Sequence, residues 1–283
     1  MDVQGPGGRR PHAEPARRSG ARAVAAPHAA LRALVIGGYS GFVEAAVPRR
    51  FVLPATTSVA VVFKIHDSAY RPAAFVMGAH PRHIVLDGDG PLSYLELWLT
   101  PLGAQELLGV PVDELRGRAV DVGELLGATG HEHVDQIREA SNWDRRFAIV
   151  DQLLLGRLAA GNRPPAPEVR RAWHRLVSSG GTVPIGRLAD EVGWSHKHLI
   201  TGFRRHVGLA PKAAARVVRF RRVLRSLDGA PAWERIAAEA GYTDQSHLVR
   251  DFHELAGTTP TGFLRWAQQR GRDGGPMKMP APA

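Results

Sequence analysis

The chain runs in two hydrophobic periods, and the change from one to the other divides it. From His28 to about Thr100, apolar residues come in short runs: Leu34 to Tyr39, Val59 to Ile65, Ala74 to Met77, His83 to Leu86 and Tyr94 to Leu99. The runs are β-branched or alternating and are bounded by Gly, Pro or Asp, which predicts strands. In the last run Leu95, Leu97 and Leu99 share one face, and Tyr94, Glu96 and Trp98 the other. Several strands at this spacing predict a small antiparallel sheet or barrel. From Thr100 onward the period becomes helical. The helices are expected to begin after the stretch Thr100-Pro101-Leu102-Gly103-Ala104-Gln105-Glu106-Leu107-Leu108-Gly109. Another starts at Asp144, a candidate N-cap, with Phe147, Val150, Leu154 and Leu158 on one face.

Beyond the proline-rich stretch Asn162 to Pro167 the helical period continues, and a pattern repeats. Ala189, Gly193, Leu199, Phe203, Gly208 and Pro211 are matched by Ala237, Gly241, Leu248, Phe252, Gly257 and Pro260. The offset is 48 at the Ala and the Gly that follows it and 49 from the Leu onward, so the second copy carries one extra turn residue. A repeated motif means a repeated structural unit. In each copy the small Ala lets a second helix come close and the Gly ends the first helix. Ser195 and Asp244 stand where an N-cap is wanted, and the Leu and Phe are i,i+4 partners on one buried side. These are the spacings of a helix-turn-helix, whose second helix is available for a major groove. One copy alone fits a structural helix hairpin equally well; two copies on a basic segment favour DNA.

Charge singles out the same segment. The chain carries a formal net charge of +10. From Glu168 to Arg272 there are 18 Lys and Arg against 9 Asp and Glu, whereas Ala23 to Pro167 has 13 against 15. The basic excess therefore belongs to the repeats, as a surface facing phosphates requires. Between them, Pro211 to Asp228 keeps Val217, Phe220, Leu224 and Leu227 at helical spacing. Arg216, Arg219, Arg222 and Arg225 recur on another side, and a subset of these is expected to position phosphates.

The tandem repeat resembles the C-terminal DNA-binding domain of the AraC/XylS family of bacterial transcription regulators over roughly residues 167–266. Its most specific part is Gly241-Tyr242-Thr243-Asp244-Gln245-Ser246-His247-Leu248 with Phe252, Gly257, Pro260 and Phe263. The resemblance implies a bilobed all-helical domain in which a central helix holds two helix-turn-helix units rigidly apart. Carried over by position, the first recognition helix spans Ser195 to His206, with Lys197, Ile200, Thr201 and Arg204 outward. The second spans about Asp244 to His253, with Gln245, Ser246, His247 and Arg250 outward. Arg250 and Gln245 have the donors and acceptors to read guanine or adenine edges, Lys197 and Arg204 reach a base or a phosphate, and Ile200 meets a thymine methyl. Plain helix surface is the alternative for Ser246 and His247. Glu at Gly202, placing an acid on the first helix, or Pro at Val249, breaking the second, is expected to erase one half of a footprint first. The segment Leu99 to Pro111 is similar to the N-terminal halves of many actinobacterial regulators of that family, a likeness that names no ligand.

At 283 residues and 44% apolar content the chain supports two domains. The expected division is a disordered Arg/Pro/Gly-rich tail at 1–27 and a sensing or dimerisation domain at 28–160. A proline-stiffened linker at 161–167, the DNA-binding domain at 168–268 and a disordered tail at 269–283 follow. The fold class is α+β: a β-rich N-terminal domain with following helices, then an all-α bilobed double helix-turn-helix domain. No apolar run reaches the roughly 20 residues of a membrane span, and the start lacks the core of a signal peptide. With no cysteine in the chain, a cytoplasmic protein is expected, without disulfides, thiolate metal sites or alkyl-accepting chemistry.

Catalytic signals are weak. His131-Glu132-His133 reads as solvated residues ahead of a helix rather than a metal site. His66 with Asp67, and His80 with His83, lack a third partner at motif spacing and default to surface or structural histidines. Gly37-Gly38 lacks the context of a dinucleotide loop, and no nucleophile elbow or P-loop appears. Tyr94 and Trp98 suit core or pocket lining. No catalytic residue, metal or cofactor is expected. The chain thus reads as a sequence-specific regulator binding double-stranded DNA as a monomer or homodimer, not an enzyme. RNA polymerase and a small-molecule effector on the N-terminal domain are candidate partners. The alternatives are a nonspecific architectural DNA binder and an enzyme with a DNA-binding appendage.

Overall fold

The computed structural model describes residues 22–44, 50–66, 72–87, 92–162, 164–227, 232–270 and 279–280. Its strands, in chain order, are β1 (Arg22–Ala25), β2 (Val35–Glu44), β3 (Arg50–Leu53), β4 (Val59–Lys64), β5 (Ala74–Met77), β6 (Ile84–Asp87), β7 (Leu92–Leu99), β8 (Ala119–Asp121) and β9 (Met279–Pro280). Six form an antiparallel sheet in the order β1-β2-β7-β4-β5-β8, and three form a second in the order β6-β3-β9. Alternation along β7 sorts the sheet into two faces. Leu95, Leu97 and Leu99, with Val59, Val61 and Phe63 beside them on β4, are buried in one apolar cluster with residues of the helices. Tyr94, Glu96 and Trp98 line a cavity together with residues of the second sheet.

The first expected strand stops at Tyr39, but β2 continues to Glu44. Its pattern is interrupted by a bulge, where the register with β7 shifts between Ile36 and Tyr39. Gly38 has φ of 90°, and a Cβ there would lie 2.5 Å from the Ala25 carbonyl oxygen on β1. β1, β3 and β8, with 4, 4 and 3 residues, add to the strands that the pattern predicts. β1 lies within the stretch expected to be a disordered tail, of which residues 1–21 fall outside the described residues. At the other end, residues 269–270 belong to the last helix and Met279–Pro280 pairs with β3, so structure extends into the expected C-terminal tail.

Four helices follow β7, with β8 between the first and the second: α1 (Pro101–Leu108), α2 (Val122–Leu126), α3 (Ala128–Glu139) and α4 (Trp143–Ala159). The first helix starts earlier than the sequence suggests: the stretch up to Gly109 is itself helical, because Thr100 caps α1, its hydroxyl accepting the Gly103 N–H at 3.0 Å, and Gly109 ends it. The N-cap of α4 is Asn142 rather than Asp144, since Asn142 has the extended backbone and accepts the Arg145 N–H at 2.9 Å. The Tyr39 hydroxyl donates to Asp151 at 2.6 Å, tying α4 to β2. Burial, and then the Asp151 carboxylate, push that phenol well above its ordinary pKa.

The C-terminal half is helical: α5 (Pro167–Ser178), α6 (Ile185–Val192), α7 (His196–Val207), α8 (Pro211–Arg225), α9 (Trp233–Glu239), α10 (Gln245–Ala256) and α11 (Pro260–Arg270). Phe203, Phe220 and Phe252 are fully buried in its core. The α+β arrangement, β-rich first and all-helical last, is the one the hydrophobic periods predict. The two halves also share a core, which the pattern does not reveal. Val52, Ala55, Ala79 and Leu102 belong to one buried cluster with Leu199, Phe203, Leu209 and Leu255. The expected linker is tied back as well: Asn162 donates to the Glu106 carbonyl at 2.9 Å, and Arg170 pairs with the Glu106 side chain at 3.6 Å.

His80 lies at this junction, 5% exposed, with Nδ1 2.8 Å from the Arg82 carbonyl oxygen. Burial holds its ring below the ordinary histidine value of 6.5; the charges of Arg221 and His83 act the same way, while the Arg82 bond opposes them. Just below pH 6.5 the folded protein therefore binds fewer protons than the unfolded chain. The His80 contribution is whole above that pH and declines as the pH falls. His80→Gln is expected to flatten this acid limb when melting temperature is followed from neutral to mildly acidic pH. An unchanged limb rules His80 out as its source.

Candidate nucleic-acid interface

Each repeat folds as its residues dictate. In the first, α6 ends at Gly193 with φ of 71°, and the Ser195 hydroxyl caps α7 by accepting the His198 N–H at 3.2 Å. In the second, Asp244 caps α10 by accepting the His247 N–H at 2.7 Å. The extra residue sits in the turn between α9 and α10, as the shift in offset predicts. Asp244→Ala is expected to lower stability by about 1 kcal/mol. Denaturant unfolding measures this, and a loss below a few tenths would mean that the cap is idle.

Leu199, Phe203, Leu248 and Phe252 have no exposed surface and fix which side of each recognition helix turns inward. On α7, Lys197, Thr201 and Arg204 are exposed and Ile200 is half-buried. The Thr201 hydroxyl donates to the Lys197 carbonyl at 3.0 Å, so its proton is committed within the helix while its oxygen still accepts. On α10, Gln245, Ser246 and Arg250 are exposed. His247 is half-buried, with its ring edge-on to Tyr242 at 5.1 Å. Arg250 Nε makes a long 3.4 Å contact with the Ser246 carbonyl, which occupies one of five guanidinium N–H groups.

Two of the four arginines of the connecting helix are engaged within the protein, while Arg222 and Arg225 are exposed. Arg216 donates to Asp251 at 2.8 Å and also pairs with Glu254; Asp251 is 2% exposed on the inner side of α10. Arg216, ahead of the burial that opposes it, holds the Glu254 carboxyl below its ordinary value, and Arg82 assists. Arg219 donates to the Gly241 carbonyl at 3.0 Å, and its guanidinium lies 5.2 Å from the centre of the Tyr242 ring. These two arginines, offered by periodicity as phosphate contacts, brace α8 against the second unit. Gly202 is corrected too. A Cβ there would meet the Trp194 ring at 2.8 Å and Val169 at 3.2 Å, so Gly202→Glu unpacks the interior rather than placing an acid outside.

One residue was missed. Arg221 of α8 lines the cavity of about 390 Å³ between the two sheets of the N-terminal half. Its signal is legible in hindsight, because it stands four residues after Val217, on the apolar side of α8. Phe42, Phe51, Phe75 and Trp98 also line this cavity, as do Lys64 and Glu96, 4% and 9% exposed on neighbouring strands.

The remaining histidines have ordinary surroundings. His131, Glu132 and His133 lie inside α3 rather than ahead of it, and both imidazole Nδ1 atoms contact carbonyls of the preceding turn, at 3.1 and 2.8 Å. His66 is exposed, and its neighbour Asp67 lies outside the described residues. His83 joins His80 at the junction, with Nδ1 2.9 Å from the Glu254 carbonyl oxygen. Among the described residues no group of three or more His, Cys, Asp or Glu is placed to hold a metal ion, and no helix is long and apolar enough to cross a membrane.

Residues 188–265 match the family model of a helix-turn-helix domain. No curated protein matches the chain. Among solved structures, the chain is similar to ToxT from Vibrio cholerae strain O395, at 9% identity and a TM-score of 0.42, covering 80% of this chain and 97% of that one. It is also similar to unsaturated fatty acid-bound wild-type ToxT from strain SCE256, at 9% identity and a TM-score of 0.41, covering 82% and 95%.

Proposed function

We propose that residues 188–265, which match a helix-turn-helix family model, belong to an AraC-type domain of a DNA-binding transcription regulator, and that both of its helix-turn-helix units read one duplex in successive major-groove segments. The observation that carries this reading is the duplicated capping and burial: α7 and α10 each bury their Leu and Phe and leave a polar side in solvent. Base readout falls to Lys197, Ile200, Thr201 and Arg204 in one segment and to Gln245, Ser246, His247 and Arg250 in the other. Tandem units on one chain lack a two-fold axis, so the site is asymmetric and about 20 bp long, with the segments about one helical turn apart.

The division into a sensing domain at 28–160 and a DNA-binding domain at 168–268 belongs to the same proposal. The cavity supports a small-molecule effector, since buried Lys64 and Glu96 offer polar recognition within an aromatic lining. Selection of bound DNA from a random pool, followed by hydroxyl-radical footprinting of the full chain, tests the reading. Enrichment of one sequence class with two protected segments is expected. A single protected segment, or binding without sequence preference at any salt concentration, refutes it.

A further inference from the structure

β3 touches different things through alternate residues. Phe51 and Leu53 line the cavity, as does Leu86 of the paired strand β6, whereas Val52 between them lies against Gly257 at the carboxyl end of α10, where a Cβ would meet its side chain at 3.2 Å. Just beyond the cavity-lining strand residues, the chain meets the carboxyl end of the second recognition helix. The Ala55 N–H donates to the Leu255 carbonyl at 2.7 Å and the His83 N–H to the Glu254 carbonyl at 3.1 Å, with His83 Nδ1 2.9 Å from the same oxygen. Arg82 pairs with the Glu254 side chain at 3.0 Å. The last carbonyls of a helix have no partner within it, so here the N-terminal half supplies them for α10.

The carboxyl end of the first recognition helix makes its own contacts elsewhere. Its His206 bonds the Gln105 side chain on α1, and Gly208 lies against Val112. Neither Gln105 nor Val112 lines the cavity. Arg221 adds a second link to the α10 side, because it joins the cavity to α8 and α8 is ion-paired to α10 through Arg216 and Asp251.

We infer that β3 and β6 set the placement of α10, with Arg82 and His83 as positioning residues, so that an occupant of the cavity acts on the α10 half of the DNA site and not on the α7 half. The final step rests on the cavity being the effector site; the positioning does not. Hydrogen bonds to helix-end carbonyls are directional and short-ranged, so displacement of the shared wall shifts the helix end it caps.

The test uses the full chain and four variants: Arg82→Ala, His83→Ala, Gln105→Ala and Val62→Phe, the last filling the cavity from β4. Hydrogen exchange without DNA reads the caps. Arg82→Ala and His83→Ala are expected to speed exchange at Ala55 and in the last turn of α10 by about fivefold or more, leaving α7 unchanged. Gln105→Ala should do the converse. On selected DNA, protection should weaken in the segment that Arg250→Ala also weakens, for Arg82→Ala, His83→Ala and Val62→Phe alike. Unaltered exchange in both positioning variants, or equal change at α7 and α10, overturns the positioning. An unaffected footprint with Val62→Phe overturns the link to the cavity. A wild-type footprint of one segment sinks the tandem reading instead, and the exchange measurements still decide the positioning.

Discussion

Replacing Phe252 with alanine is expected to cost about 3–5 kcal/mol and to disable the second helix-turn-helix unit before the first. The ring has no exposed surface and packs edge-on to Phe220, Trp233 and Phe263 at 5.1, 6.0 and 5.9 Å. Its removal opens a void bordered by α8, α9 and α11, so three helices lose a common contact. The first unit keeps Phe203 and Leu199 in its own interior. Denaturant unfolding gives the stability loss, and footprinting below the midpoint gives the order of failure. A cost under about 1 kcal/mol, or simultaneous loss of both footprint segments, would show that the two units do not fail separately.

Arg250→Ala is expected to weaken binding to the selected site by about 1–3 kcal/mol, roughly five- to 150-fold, and to relax preference at one or two base positions. The side chain is exposed on α10 and its one intrahelical contact is long, so truncation leaves the fold intact. Titration of cognate and scrambled duplexes separates base reading from phosphate attraction. Equal loss on both would assign Arg250 to phosphates. Arg219→Ala makes the informative contrast. Periodicity alone gives it a phosphate role, whereas its bond to Gly241 and its place over Tyr242 make it a brace. It should lower thermal stability along with affinity.

The repeat, its caps and the inward side of each recognition helix were legible because they depend on residues three to five positions apart, which the sequence displays directly. Strands with a clean alternation, β4 and β7 above all, were legible for the same reason. β1, β3 and β8 were not; what defines them is their pairing with β2, β6 and β5. The extension of β2 was hidden by Gly37-Gly38, whose bulge resembles a turn until β7 is beside it.

Side-chain roles divide along the same line. The sequence by itself determined that this protein has a β-rich half and a basic, duplicated helical half, and which apolar residues of α7 and α10 turn inward. Only the tertiary structure decided which arginines are spent inside. Arg216 finds Asp251 35 residues later in the chain, and Arg219 finds Gly241 22 residues later. It also decided that Gly202 faces Trp194, that Arg221 reaches the cavity, and that Ala55 and His83 bond the last carbonyls of α10. The physical reason is range. Helix and strand periods are set by local backbone geometry, whereas the partner of a charge or a helix end is chosen by whichever distant segment packs against it.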